Sequence, residues 1–104
     1  MKQDRLKQFQ EIYKRHGWTL RRILRRQDSH EIAANRDDVE IFENDIDAAW
    51  FSRSSSEGKT TWEIRSLEVD QYALCVSILD DSEVSEAEGM LFELEEQMRD
   101  KLRR

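Results

Sequence analysis

The stretch Ala48-Ala49-Trp50-Phe51-Ser52-Arg53 decides the fold, read together with Thr60-Thr61-Trp62-Glu63-Ile64-Arg65-Ser66-Leu67 and Tyr72-Ala73-Leu74-Cys75-Val76-Ser77-Ile78-Leu79. All three runs are rich in β-branched and aromatic residues and have the two-residue period of a strand. A one-residue slip between paired strands exchanges their faces, so side-chain chemistry constrains the register. Setting Ser52 opposite Thr60 brings Trp50 against Trp62 and Ala48 against Ile64, with Asp47 meeting Arg65 on the reverse side. Setting Ser66 opposite Tyr72 brings Ile64 against Leu74 and Trp62 against Val76, with Glu63 beside Cys75 on the reverse. Pairing Ile41 with Ala48 and Val39 with Trp50 extends the pattern to a further strand. One face then collects Val39, Ile41, Ala48, Trp50, Trp62, Ile64, Tyr72, Leu74, Val76 and Ile78, and is the expected core face. The other carries Asp47, Ala49, Phe51, Arg53, Thr61, Glu63, Arg65, Ala73, Cys75 and Ser77. It is expected to stay wet, as one face of an antiparallel sheet can.

The flanks supply the cover. Leu6, Phe9, Ile12 and Tyr13 recur at helical spacing between Gln3 and His16, and Gly17 is placed to stop that helix. Trp18 to Leu24 reads as a strand whose alternation slips at Arg22/Ile23, which suggests a bulge or an early end. Asp28 with Glu31 suggests a capping box for a short helix through Asn35, and Asn44-Asp45 a tight turn. Val84, Ala87, Leu91, Leu94 and Met98 form the apolar stripe of a last helix running to Leu102, with Ser85 and Glu88 spaced as a capping box. The expected fold class is therefore α+β. It is a two-layer sandwich in which an antiparallel meander sheet carries the N- and C-terminal helices on one face, and residues 1–104 form one domain.

Composition narrows the function classes. The 104 residues include 17 Lys+Arg and 23 Asp+Glu, a formal net charge of -6. The pI is near 5.0 and the mean hydropathy -0.88. No apolar run approaches the roughly 20 residues of a membrane-spanning helix. One cysteine excludes a disulfide-built framework. The N-terminus carries no apolar signal segment, so a cytoplasmic location is expected. Charge is uneven: residues 1–26 carry a net +7 and residues 27–104 a net -13.

Three functional readings compete. The first is a small cytoplasmic protein-interaction or assembly domain that self-associates as a homodimer, without a cofactor. Its partner-binding face would be the open sheet face, with Phe51, Arg53, Thr61, Glu63, Arg65 and Ser77, because mixed charge around an aromatic suits docking. The second is a nucleic-acid-binding accessory protein using Arg21, Arg22, Arg25 and Arg26 on phosphates, with Trp18 to stack on a base. Alternation along a strand would scatter those arginines over two faces, and an acidic pI argues against this reading. The third is an enzyme with a shallow carboxylate/arginine site at Asp47, Glu63 and Arg65, although no recognised catalytic motif is present. A metal site is not expected. Glu43-x-Asp45-x-Asp47 resembles the start of a calcium loop, but Ala48 and Ser54 stand where glycine and glutamate are required. His16, His30 and Cys75 lack zinc-ligand spacing.

Overall fold

The computed structural model describes residues 2–29, 32, 38–55, 57–68 and 72–102. Helix α1 (Lys2–Arg15) leads into strand β1 (Thr19–Arg25). Strands β2 (Glu40–Glu43), β3 (Ala48–Ser54), β4 (Lys59–Ser66) and β5 (Ala73–Leu79) follow, and helix α2 (Val84–Leu102) closes the chain. The expected α+β class holds: two terminal helices pack on one five-stranded, mostly antiparallel sheet. The expected short helix through Asn35 lies largely outside the described residues, as does His30.

Local chemistry sets the ends of the helices. Gly17 has a φ of 85°. Its N–H donates to the Lys14 carbonyl at 3.1 Å, and the Trp18 N–H donates to the Tyr13 carbonyl at 2.9 Å. Those paired bonds are a Schellman cap, and the residue between them must adopt a left-handed conformation, which glycine does without strain. At the other end of the chain α2 opens at Val84, one residue before Ser85, and the Glu83 carbonyl accepts from the Ala87 N–H. The Ser85/Glu88 capping box does not form, and the Glu88 carboxylate accepts from Arg22 instead.

The strand order is β2-β1-β3-β4-β5, so the sheet is not a meander throughout. β2 runs parallel to β1, with Ile41 beside Ile23 and Phe42 beside Leu24. β1 occupies the place beside β3 that was expected for β2. The bulge anticipated in β1 falls between Leu20 and Arg22. It lets Leu20 and Ile23, three residues apart, both enter the same core. The β4–β5 register is as read from the sequence, with Ile64 opposite Leu74 and Trp62 opposite Val76. The β3–β4 register is two residues from expectation, with Trp50 opposite Ile64 and Ser52 opposite Trp62. A shift of two keeps every side chain of β3 and β4 on its face, so their assignment to faces survives. Val39 and Ile41 do change face: with β2 beside β1 rather than β3, Ile41 stands next to Ile23, and Val39 packs in the core of Ile23 and Phe51, not beside Trp50 as expected.

The distribution of the helices does not follow expectation. Leu24, Ala48, Trp50, Ile64 and Ile78 pack with Leu91 and Met98 of α2. Leu20, Ile23, Ala49 and Phe51 pack with Leu6 and Tyr13 of α1, joined by Ile32 and Val39. Alternate residues of β3 thus serve two cores, and the helices lie on opposite faces in three layers rather than together in two. A sheet face bearing Ala49 and Phe51 has apolar area to hide, and α1 hides it. Each helix covers only part of its face, as a helix about 10 Å wide over strands about 4.8 Å apart must. α2 lies over β4 and β5, and α1 over β1. What remains uncovered on the two faces therefore lies at opposite edges of the sheet.

Candidate functional site

The face expected to bind a partner is divided by α1. Phe51 is only 1% exposed. It lies in the α1 core, stacked on Tyr13 with ring centroids 4.1 Å apart, so its expected role as an exposed anchor is corrected. Arg53 remains exposed, but it is held in place. Its guanidinium lies 5.2 Å over the Trp18 ring, and it donates to the His16 carbonyl at 3.1 Å. Thr61 and Ser77 share a hydroxyl–hydroxyl bond of 3.0 Å beyond the helix. Cys75, on the same face, is exposed beside them on β5.

Glu63 and Arg65 do come together, through Tyr13. The Tyr13 hydroxyl donates to Glu63 Oε2 and accepts from Arg65 Nε at 2.9 Å. The Arg65 guanidinium also lies 5.0 Å over the Phe9 ring. Burial, then the bond to Glu63, pushes the Tyr13 hydroxyl up to about 12. The phenol therefore stays protonated at neutral pH and acts as a fixed donor. A shallow cavity of about 200 Å³ opens beside it, lined by Ile12, Tyr13, His16, Trp18, Glu63 and Arg65.

Asp47 does not join Glu63 and Arg65. It is fully buried at the start of β3, where Oδ1 accepts from the Arg26 N–H at 2.7 Å and Oδ2 from the Ser29 hydroxyl at 2.8 Å. Its own N–H donates to Glu68 Oε2 at 3.0 Å, and Glu68 Oε1 accepts from Arg26 Nη1 at 3.1 Å. These bonds tie the turn after β1 to the turn after β4. The three residues of the enzyme reading are thus split between a structural knot and the Tyr13 cluster. Asp47 is likewise engaged away from the calcium-like loop. Among the described residues no group of three or more His, Cys, Asp or Glu is placed to hold a metal ion. No helix among them is long and apolar enough to cross a membrane.

The four arginines of the nucleic-acid reading do not converge. Arg21 is exposed, with its guanidinium 5.8 Å from the Trp62 ring centre. Arg22 makes a bidentate pair with Glu88, at 2.5 and 3.1 Å. Arg25 turns to the Ile32 carbonyl at 2.8 Å. Arg26 is occupied with Glu68 and Asp28. Three of the four guanidiniums thus already have acceptors from the chain itself, and they do not form a patch aimed at phosphate.

A further depression lies where the sequence offers no motif. β2 and β1 extend beyond the cover of α2, leaving a groove of about 460 Å³. Its sheet side presents Arg22 and Leu24 from β1 and Glu40 and Phe42 from β2, with Glu43 and Asn44 at the end. Its helix side presents Glu88 and Glu95. Phe92 stands between these two on the same side of α2, four residues after one and three before the other. Phe42 is 43% exposed and Phe92 58%. Arg99 ties the end of the groove shut, donating to Asn44 Oδ1 at 3.0 Å. Glu95 accepts from the Trp50 indole N–H at 3.0 Å. Burial raises the Glu95 carboxyl above its ordinary value, while the Trp50 bond and Arg99 pull the other way. A sequence signal did exist: Phe42 in a short strand and Phe92 off the α2 stripe are both large apolar residues with no place in the core.

Comparison of the chain with protein-family models, with curated proteins and with solved structures returned no match.

Proposed function

We propose that this chain is a protein-interaction domain that self-associates through the β2 edge of its sheet and acts in the cytoplasm. The observation that carries the reading is β2 itself. It is four residues long, exposed along its whole length and paired on one side with β1, with no strand on its other side among the described residues. Ile41 and Phe42 put apolar surface on that edge, at 39% and 43% exposure. An unprotected edge with unpaired N–H and C=O groups is a template for a further strand, and a second copy across a two-fold axis is the commonest way to complete one. The exposed thiol of Cys75, the chain's one cysteine, suits a reducing compartment.

Sedimentation velocity over a hundredfold concentration range tests this reading. The expected result is a concentration-dependent dimer that Ile41→Lys dissociates. A species that stays monomeric throughout, or a dimer indifferent to Ile41→Lys, overturns it.

A further inference from the structure

We infer that the groove between α2 and β2 is a docking site for a basic amphipathic helix of another protein. The inference rests on the interaction reading above but not on self-association, since it uses the α2 side of β2 rather than its edge.

Shape is the first argument. α2 covers β4 and β5, and the next helix on that face would lie 8–10 Å to the side, over β1 and β2. The uncovered width is about that of one helix. The connection from β1 to β2 does not fill it where described, because Ile32 and Val39 pack into the α1 core on the opposite face. Apolar contact is the second argument. Phe42 lines the groove from the sheet, and the exposed Phe92 shares the side of α2 that carries Glu88 and Glu95, so a helix lying in the groove is placed to bury both rings.

Charge selects the occupant. Glu40, Glu43, Glu88 and Glu95 line the groove against two guanidiniums, that of Arg22, which Glu88 engages, and that of Arg99 at its end, 3.9 Å from Glu95, so carboxylates stay in excess. A second copy of α2 would bring more carboxylates, since Glu86, Glu88, Glu93, Glu95 and Glu96 all lie on that helix. Its approach would meet like charge. A helix with lysines or arginines flanking an apolar stripe meets the opposite sign, which favours encounter and fixes register.

The probe is a fluorescein-labelled Leu/Lys amphipathic peptide of about 18 residues, close to the length of α2. Its control is the same pattern with Glu for Lys. Fluorescence polarisation should show saturable binding of the Leu/Lys peptide alone, weakening as salt is raised. The double variant Phe42→Ser/Phe92→Ser should weaken it by about tenfold or more. Both rings are exposed, so the variant keeps its fold, which circular dichroism checks. Ile41→Lys should leave peptide binding in place. Absence of saturable binding, equal binding of the Glu peptide, or indifference to the double variant overturns the inference. So does loss of a dimer of the free protein in the double variant but not in Ile41→Lys, which would make a second copy the occupant. A wild-type monomer that binds the peptide sinks only self-association, and a dimer that ignores the peptide sinks only the groove.

Discussion

Trp50 and Phe51 are adjacent in β3 and both essentially inaccessible to solvent, yet they belong to different cores. Trp50 packs beneath α2 and Phe51 beneath α1. Truncating either large side chain removes contacts that the surrounding layers cannot refill. Trp50→Ala and Phe51→Ala are each expected to cost about 3–5 kcal/mol in urea unfolding. A near-neutral Phe51→Ala would mean that α1 does not seal its face.

The Tyr13 hydroxyl, held up at about 12, makes stability depend on alkaline pH. The sign is set by the proton count. Between the ordinary value of 10.0 and about 12 the folded chain keeps a proton that the unfolded chain gives up, so raising the pH through that window favours unfolding. Below 10.0 this contribution is fully present. Tyr13→Phe should flatten that part of the stability curve. The difference in absorbance at 295 nm between wild type and variant should place the ionisation near 12, and a transition near 10 would contradict the Glu63 and Arg65 bonds.

How far the fold is legible in the sequence depends on which residues carry the signal. The alternation in Thr60–Leu67 and Tyr72–Leu79 is local, and it specifies the β4–β5 register to the residue. Gly17 announces its cap because one conformation demands it. The neighbour of β2 is a non-local choice between similar apolar runs, and adjacency in sequence points to β3 when the true neighbour is β1. The second core is visible in hindsight within one segment. Ile46 to Ser52 is buried at every position, as a strand covered on both faces must be. The reverse face then grades from Ala49 and Phe51 on β3 to Thr61, Glu63 and Arg65 on β4, and to Cys75 and Ser77 on β5, which is the limit of α1's cover. The sequence groups Glu63 and Arg65 with Asp47, which lies elsewhere, while Tyr13, which does join them, comes from a helix 50 and 52 residues away and has no local signature.

Asp47 should behave as a structural carboxylate. Asp47→Ala leaves the Arg26 N–H and the Ser29 hydroxyl without the acceptors they have now. Hydrogen bonds to a charged acceptor contribute about 1.5–3 kcal/mol each, so losing both is expected to cost about 3–6 kcal/mol. Hydrogen exchange should accelerate first at Arg26 and around Leu67, whose N–H donates to the Asp47 carbonyl at 2.9 Å. Uniform acceleration across the sheet instead would show that the knot is not a separable unit.

Glu95 separates the cost of charge from the value of an acceptor. Its carboxyl is raised above the ordinary value, first by burial, so its charged form is held at some expense to the fold. The folded state binds the proton more tightly than the unfolded one, and that expense is relieved as the pH falls through the folded value. Glu95→Gln keeps an oxygen for the Trp50 indole N–H and removes the charge, so stability at pH 7 should hold within about 1 kcal/mol or rise. Glu95→Leu removes the acceptor and strands the indole N–H, at a cost of about 1–3 kcal/mol. Thermal unfolding at pH 7 and pH 4.5 compares them: the Gln variant should lead the wild type by more at the higher pH. A lead that grows on acidification would reverse the assigned direction of the Glu95 shift.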